Sequence, residues 1–164
     1  MEFTPIFVAG RSLTADEMTA LVGSLFANLA QGEKNLRKVR KTISPEALDL
    51  FLAEMVTQVE AAAKAGLQPW AIFKAAGLAG ARRTAQALRE IAPRFWMNAY
   101  WVLEALLAIE NVRAIGFCVD LGRKGLFGYN NTLLEHEIDR ICTQFHVSPE
   151  ERELRSLSTD PAKT

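Results

Sequence analysis

The stretch from Pro93 to Glu110, PRFWMNAYWVLEALLAIE, decides the fold. Trp96, Tyr100, Leu103 and Leu107 recur at helical spacing along one side, while Met97, Trp101 and Ala105 cover another. A helix apolar on nearly every side has to be enclosed by other elements, so the stretch is expected to be the central helix, 93–110, of an all-α domain. It is not a membrane span: Phe95 to Leu103 is the longest charge-free part, Glu104 follows, and a bilayer needs roughly 18–20 apolar residues.

On the N-terminal side, Ala81, Ala85, Leu88 and Ala92 form the apolar face of a preceding helix, with Arg82, Gln86 and Arg89 on the opposite side. Before that, Pro69 opens a segment carrying Trp70, Ile72 and Phe73. The small residues from Ala76 to Gly80 predict either a break near Gly80 or a close approach by another backbone. Ser44-Pro45-Glu46 has the capping chemistry of a helix start, with Leu48, Phe51, Leu52, Met55, Val56 and Val59 as its stripe up to Gly66. Thr14 and Glu17 have the spacing of a capping box, and the stripe Met18, Leu21, Val22, Leu25, Phe26 and Leu29 is expected to stop at Gly32. A short amphipathic helix is expected from Lys34 to Lys41, with Leu36, Val39 and Ile43 inward.

On the C-terminal side, the alternation of Ile115, Phe117 and Val119 predicts an extended run over 112–121, matched by Ile6-Phe7-Val8 as a minor two-stranded β element. Asp120 to Asn131 reads as a glycine-rich loop and Thr132 to Phe145 as a helix with Leu134, Ile138, Ile141 and Phe145 inward. Ser148-Pro149-Glu150 caps a last turn. The expected architecture is a single multi-helix domain over 1–157, with about six or seven helices and a flexible tail over 158–164.

Composition agrees. Alanine and leucine supply 24 and 20 of the 164 residues, valine and isoleucine only 9 and 8, a balance that favours helix. Nineteen basic side chains meet nineteen acidic ones, which removes the net charge typical of chains that live on nucleic acid or membranes and favours self-association. The balance is a cancellation, since residues 33–94 hold eleven positive against six negative side chains. Two cysteines and no export-signal pattern lead to the expectation of a cytoplasmic setting without membrane attachment.

Three constellations could carry chemistry. Trp70, Trp96, Tyr100 and Trp101 concentrate aromatic surface suited to gripping a protein partner or a second copy, as in a homodimer. Lys34, Arg37, Lys38 and Lys41 form a basic stripe at i, i+3, i+4 and i+7, joined by Arg82, Arg83 and Arg89. This is a nucleic-acid or anion face if the two groups converge. Arg123 and Lys124, between glycines ahead of a helix, have the ingredients of an anion site but match neither the phosphate-loop nor the dinucleotide pattern. A helix-turn-helix starting near Ala76 fails, because Arg83 and Gln86 stand where the second helix should be apolar.

The third constellation lies on the late helix, where Glu135, Asp139, Cys142 and His146 share one edge; Asp139, Cys142 and His146 are the candidate metal ligands. Nucleophilic sets can be assembled from Cys118 with His136 or His146 and Asp120 or Asp139, without a local signature. Glu104 is expected to be a buried carboxylate paired with Arg89 or Arg94. No pattern calls for a cofactor. The sequence therefore points first to a non-catalytic accessory or regulatory protein acting through association, second to a nucleic-acid-binding regulator, and third to a metal-binding enzyme or sensor.

Overall fold

The structure, a computed structural model, describes residues 7–8, 10–26, 29–64, 68–94, 99–123 and 131–157. It begins in an antiparallel ribbon, β1 (Phe7–Val8) against β2 (Arg11–Ser12), with Phe7 opposite Ser12 and Val8 opposite Arg11. The minor β element is thus local, since a link of two residues closes at far lower entropic cost than pairing across a hundred. Helix α1 (Ala15–Phe26) starts with the predicted capping box. The Thr14 N–H donates to Glu17 Oε2 at 2.8 Å and the Glu17 N–H to Thr14 Oγ1 at 3.2 Å. Arg11 donates to both oxygens of the same carboxylate, at 2.8 and 2.9 Å, and so ties β2 to α1.

Helix α2 (Leu29–Arg40) runs through Gly32, which the sequence reading took as a stop. The residue lies against α1 and Leu78, so its small size serves contact and not termination. Leu36, Val39 and Ile43 are buried as expected. Helix α3 (Pro45–Thr57) is capped by Ser44, whose Oγ accepts the Ala47 N–H at 3.1 Å, and its whole predicted stripe is buried. The chain breaks at Gln58 before α4 (Val59–Lys64), splitting one expected helix into two.

Helix α5 (Pro69–Ala79) ends at Gly80, which has φ 53°, a left-handed cap conformation that favours glycine. Helix α6 (Arg82–Ile91) follows from Ala81, which has no side chain to cap it. Asp49 of α3 does so from across the core: it accepts the Thr84 N–H at 3.0 Å, the Arg83 N–H at 3.3 Å and the Thr84 hydroxyl at 2.6 Å. A 3-10 turn over Ala92–Arg94 takes up Pro93, and α7 is described over Ala99–Glu110. Residues 95–98, with Trp96, fall outside the described residues.

Helix α7 is central, as expected. Val102, Leu103, Ala105, Leu106 and Leu107 are buried, and α5, α6 and the later helix α9 (Asn131–Gln144) pack against it. Its contact with α5 is close. A Cβ on Gly77 would stand 3.3 Å from the Ala105 Cα, so glycine is what lets the two backbones approach.

The predicted extended run over 112–121 is instead a 3-10 turn (Asn111–Ala114) leading into α8 (Ile115–Arg123). Ala114, Ile115, Cys118 and Leu121 are buried, a helical spacing, whereas Phe117 and Val119 are half-buried; the alternation that suggested a strand was not the pattern that packs. Asp120 to Arg123 accordingly belong to a helix, and the rest of the proposed glycine loop, 124–130, lies outside the described residues, as does the tail 158–164. Helix α10 (Pro149–Leu157) is capped by Ser148, whose Oγ accepts the Glu151 N–H at 3.1 Å. Among the described residues there are ten α-helices instead of six or seven, the excess arising from the break at Gln58, the helical 112–123 region and the last turn, which is the full helix α10. The chain is an all-α domain around one hydrophobic core.

Candidate interaction surface

The close approach of α5 and α7 builds an aromatic face. Trp70, in the first turn of α5, keeps 44% of its surface exposed and lies 6.4 Å, ring centroid to centroid, from half-buried Trp101 of α7 at a 45° tilt. Tyr100 meets the Trp101 ring edge-on at 5.3 Å. Lys74, one turn beyond Trp70, holds its Nζ 5.2 Å from the Trp101 ring centroid and pairs with Glu104.

Glu104 is therefore a partly buried carboxylate, but its partner is Lys74 and not Arg89 or Arg94. The reason is the packing at Gly77 and Ala105, which sets positions 74 and 104 side by side; Arg89 pairs with Glu110 instead. Burial, then the hydrogen bond to Glu104 and the charges of Glu104 and Glu137, push the Tyr100 hydroxyl above its usual range, so it stays protonated. From α9, Glu137 and Arg140 add an ion pair at 2.5 Å close enough to Tyr100 and Glu104 to act on them. An aromatic centre is thus rimmed by charges of both signs. The sequence reading found Trp70, Tyr100 and Trp101 but missed Lys74, which the i, i+4 spacing from Trp70 could have indicated.

The basic residues are distributed differently from one another. Lys34, Arg37, Lys38 and Lys41 are exposed on α2 and beyond its end, with Arg37 3.5 Å from Glu33. Arg82 and Arg83 are exposed at the start of α6. Arg40 donates to the Ala79 carbonyl at 2.7 Å, which docks the end of α2 on the turn between α5 and α6. Lys41 and the Arg82–Arg83 pair therefore belong to one end of the bundle, while Lys34 lies two turns away along α2. Arg89 is partly buried, with its Cζ 4.9 Å from the Phe117 ring centroid. Arg123 closes α8, and Lys124 is outside the described residues.

The late-helix edge does not assemble into a metal site. Arg152 of α10 takes both carboxylates, Glu135 at 2.6 Å and Asp139. Cys142 turns into the core, where burial pushes its thiol up. α9 ends at Gln144, and His146 beyond it has φ 54°, which takes it off the helical register that aligned it with Asp139 and Cys142. The same early end leaves Phe145 43% exposed, where the sequence reading had it inward. Among the described residues no group of three His, Cys, Asp or Glu side chains is arranged to hold a metal ion. Cys118 is wholly buried and its thiol is pushed far up by that burial, the opposite of an activated nucleophile.

Among the described residues no helix is long and apolar enough to cross a membrane. No family model, no curated protein and no solved structure matches the chain.

Proposed function

We propose that this is a non-catalytic accessory or regulatory protein that works by association, through the face made by Trp70, Lys74, Tyr100 and Trp101. The observation that carries the reading is an exposed tryptophan in tilted ring contact with a second one across two packed helices. Tryptophan and tyrosine are preferred anchors of protein interfaces, and an apolar centre with a polar rim is their usual setting. The occupant we assign is a second copy of the chain. The rim carries Lys74 paired with Glu104 and Arg140 paired with Glu137, so no excess of one sign there opposes the approach of a second copy, as a two-fold interface requires. The zero net charge of the chain leaves no overall repulsion between copies. Free, buried thiols at Cys118 and Cys142 fit a reducing, cytoplasmic setting.

Sedimentation equilibrium over a wide concentration range tests this. The chain should dimerise, and Trp70→Ala should weaken the dimer by about 2 kcal/mol, roughly thirtyfold in Kd, with little effect on the monomer's melting temperature. A chain that stays monomeric at the highest concentrations refutes self-association, and a heterologous protein bound through Trp70 would replace the second copy as occupant.

A second reading, contact with nucleic-acid phosphates, is favoured by the Arg40–Ala79 clasp, which gathers Lys41, Arg82 and Arg83 at one end of the bundle. Oligonucleotide binding that is undetectable even at low salt removes it.

A further inference from the structure

Away from the aromatic face, α6 and the end of α7 enclose a cleft of about 760 Å³. Small-molecule sites occupy roughly 300–1,000 Å³. The cleft is lined by Arg82, Arg89 and Arg113, with Gln86, Glu110 and Asn111 between them. On α6 this is the face of Arg82, Gln86 and Arg89. The other wall exists because Asn111 adopts φ 54°, the left-handed conformation that asparagine tolerates, and turns the chain sharply at the end of α7 so that Arg113 joins the same cleft.

The three guanidinium groups are not equivalent. Arg89 is fixed by its ion pair with Glu110 and by the Phe117 ring beneath it, and its buried Nε has no hydrogen-bond partner among the described residues. Arg82 and Arg113 are exposed and have no ion pair among the described residues. Glu110, the only carboxylate among the described lining residues, is already taken by Arg89, so among the described residues the cleft keeps positive charge that no carboxylate neutralises. Ala85 and Ile109 supply apolar wall, and the amides of Gln86 and Asn111 can both donate and accept.

We propose that this cleft binds a small phosphorylated compound, a phosphate mono- or diester group on a compact organic body. Arg82 and Arg113 hold the phosphate oxygens, Arg89 adds a fixed positive charge behind them, and Ala85 and Ile109 face the organic part. Planar guanidinium forks match phosphate oxygens two at a time, which lysine cannot do. A concave, three-arginine site differs in kind from the lysine-rich face of α2, whose Lys34, Arg37, Lys38 and Lys41 are exposed.

The test is titration calorimetry with inorganic pyrophosphate at fixed ionic strength, with citrate and a single-stranded oligonucleotide as comparison arms. Pyrophosphate should saturate one site per chain and bind more tightly than citrate. Arg82→Gln and Arg113→Gln should each weaken it by about ten- to a hundredfold, the loss of one charge-assisted contact. Lys34→Gln, on the open face of α2, should leave it unchanged, and unliganded melting curves of the two arginine variants should match the parent because both side chains are exposed. Four results overturn the proposal. These are pyrophosphate binding that does not saturate below about 1 mM, citrate binding that is equally tight, a loss on Lys34→Gln as large as that of the arginine variants, and oligonucleotide binding tighter than that of pyrophosphate through the same arginines, which would make the cleft part of a nucleic-acid surface.

Discussion

Removing the Asp49 carboxylate from α3 should destabilise the fold far more than an ordinary surface change does. Asp49 is buried, and so is Thr84, whose N–H and hydroxyl both end on Asp49 Oδ1 at 3.0 and 2.6 Å. Loss of an N-cap alone costs about 0.5–2 kcal/mol. Asp49→Ala in addition leaves the buried Thr84 N–H without its acceptor, while the Thr84 hydroxyl keeps the Asp49 backbone carbonyl at 3.3 Å; a buried donor without its acceptor costs about 1–3 kcal/mol. Together these place the loss near 3 kcal/mol, or roughly 6–12 °C in melting temperature for a chain of this length.

Urea unfolding followed by circular dichroism measures it, with an unchanged m-value showing that the denatured state is unaltered. Asp49→Asn keeps an acceptor for the Thr84 N–H and should lose only about 1 kcal/mol. The decisive comparison is the cycle with Thr84→Val. If the two residues act as one cap, the double variant should be more stable than the sum of the single effects predicts by about 1 kcal/mol. An Asp49→Ala loss below about 0.5 kcal/mol, the size of an ordinary surface change, or strictly additive single effects, would refute the reasoning.

Two further outcomes follow from named contacts. Gly77→Val should lose about 1–3 kcal/mol, read from the same urea curves, because the added side chain meets the Ala105 backbone of the central helix and not a movable side-chain end; a neutral result would mean that α5 and α7 are not in close contact. The hydrogen bond from Arg11 and then that from the Thr14 N–H lower the Glu17 carboxyl from 4.5 to about 2. A depressed folded-state value means that the stabilisation is complete above the unfolded value and disappears as pH falls from about 4.5 through 2. The melting difference between the parent and Glu17→Gln should therefore be constant near neutrality and shrink across that window, and a difference that persists at the acid end contradicts it.

What was legible in the sequence is what is decided within a few residues. The caps at Thr14, Ser44 and Ser148 join donor and acceptor three positions apart, and Gly80 ends a helix by its own conformation. The central helix was legible for a similar reason, since apolar residues on every side of one segment require burial whatever the partners are. Reading failed where a residue has two uses and only a distant neighbour chooses between them. Gly32 looks like a stop until Leu78, from another helix, is seen lying against it. The apolar run at 112–121 satisfies a strand and a helix alike; it is helical because Ala114, Ile115, Cys118 and Leu121 are the residues that reach the core.

Charges were the least legible, because an ion pair is chosen by helix packing and not by chain distance. Glu104 was assigned an arginine by residue type, whereas the close approach of α5 and α7 at Gly77 puts Lys74 beside it. The late-helix edge shows the same logic in reverse. Glu135, Asp139, Cys142 and His146 share an azimuth only while α9 continues, and it stops at Gln144. Arg152 then returns on α10 and takes both carboxylates. Ligand-type residues on one helix edge therefore signal a metal only if no cation from a neighbouring element reaches them first. Conversely, arginines signal an anion only where no carboxylate does. Arg152 fails that condition, and Arg82 and Arg113 meet it, since each is exposed, lines the same cleft and has no ion pair among the described residues. It is this difference in neutralisation, invisible in a chain whose charges sum to zero, that separates a structural salt bridge from a surface able to recognise something else.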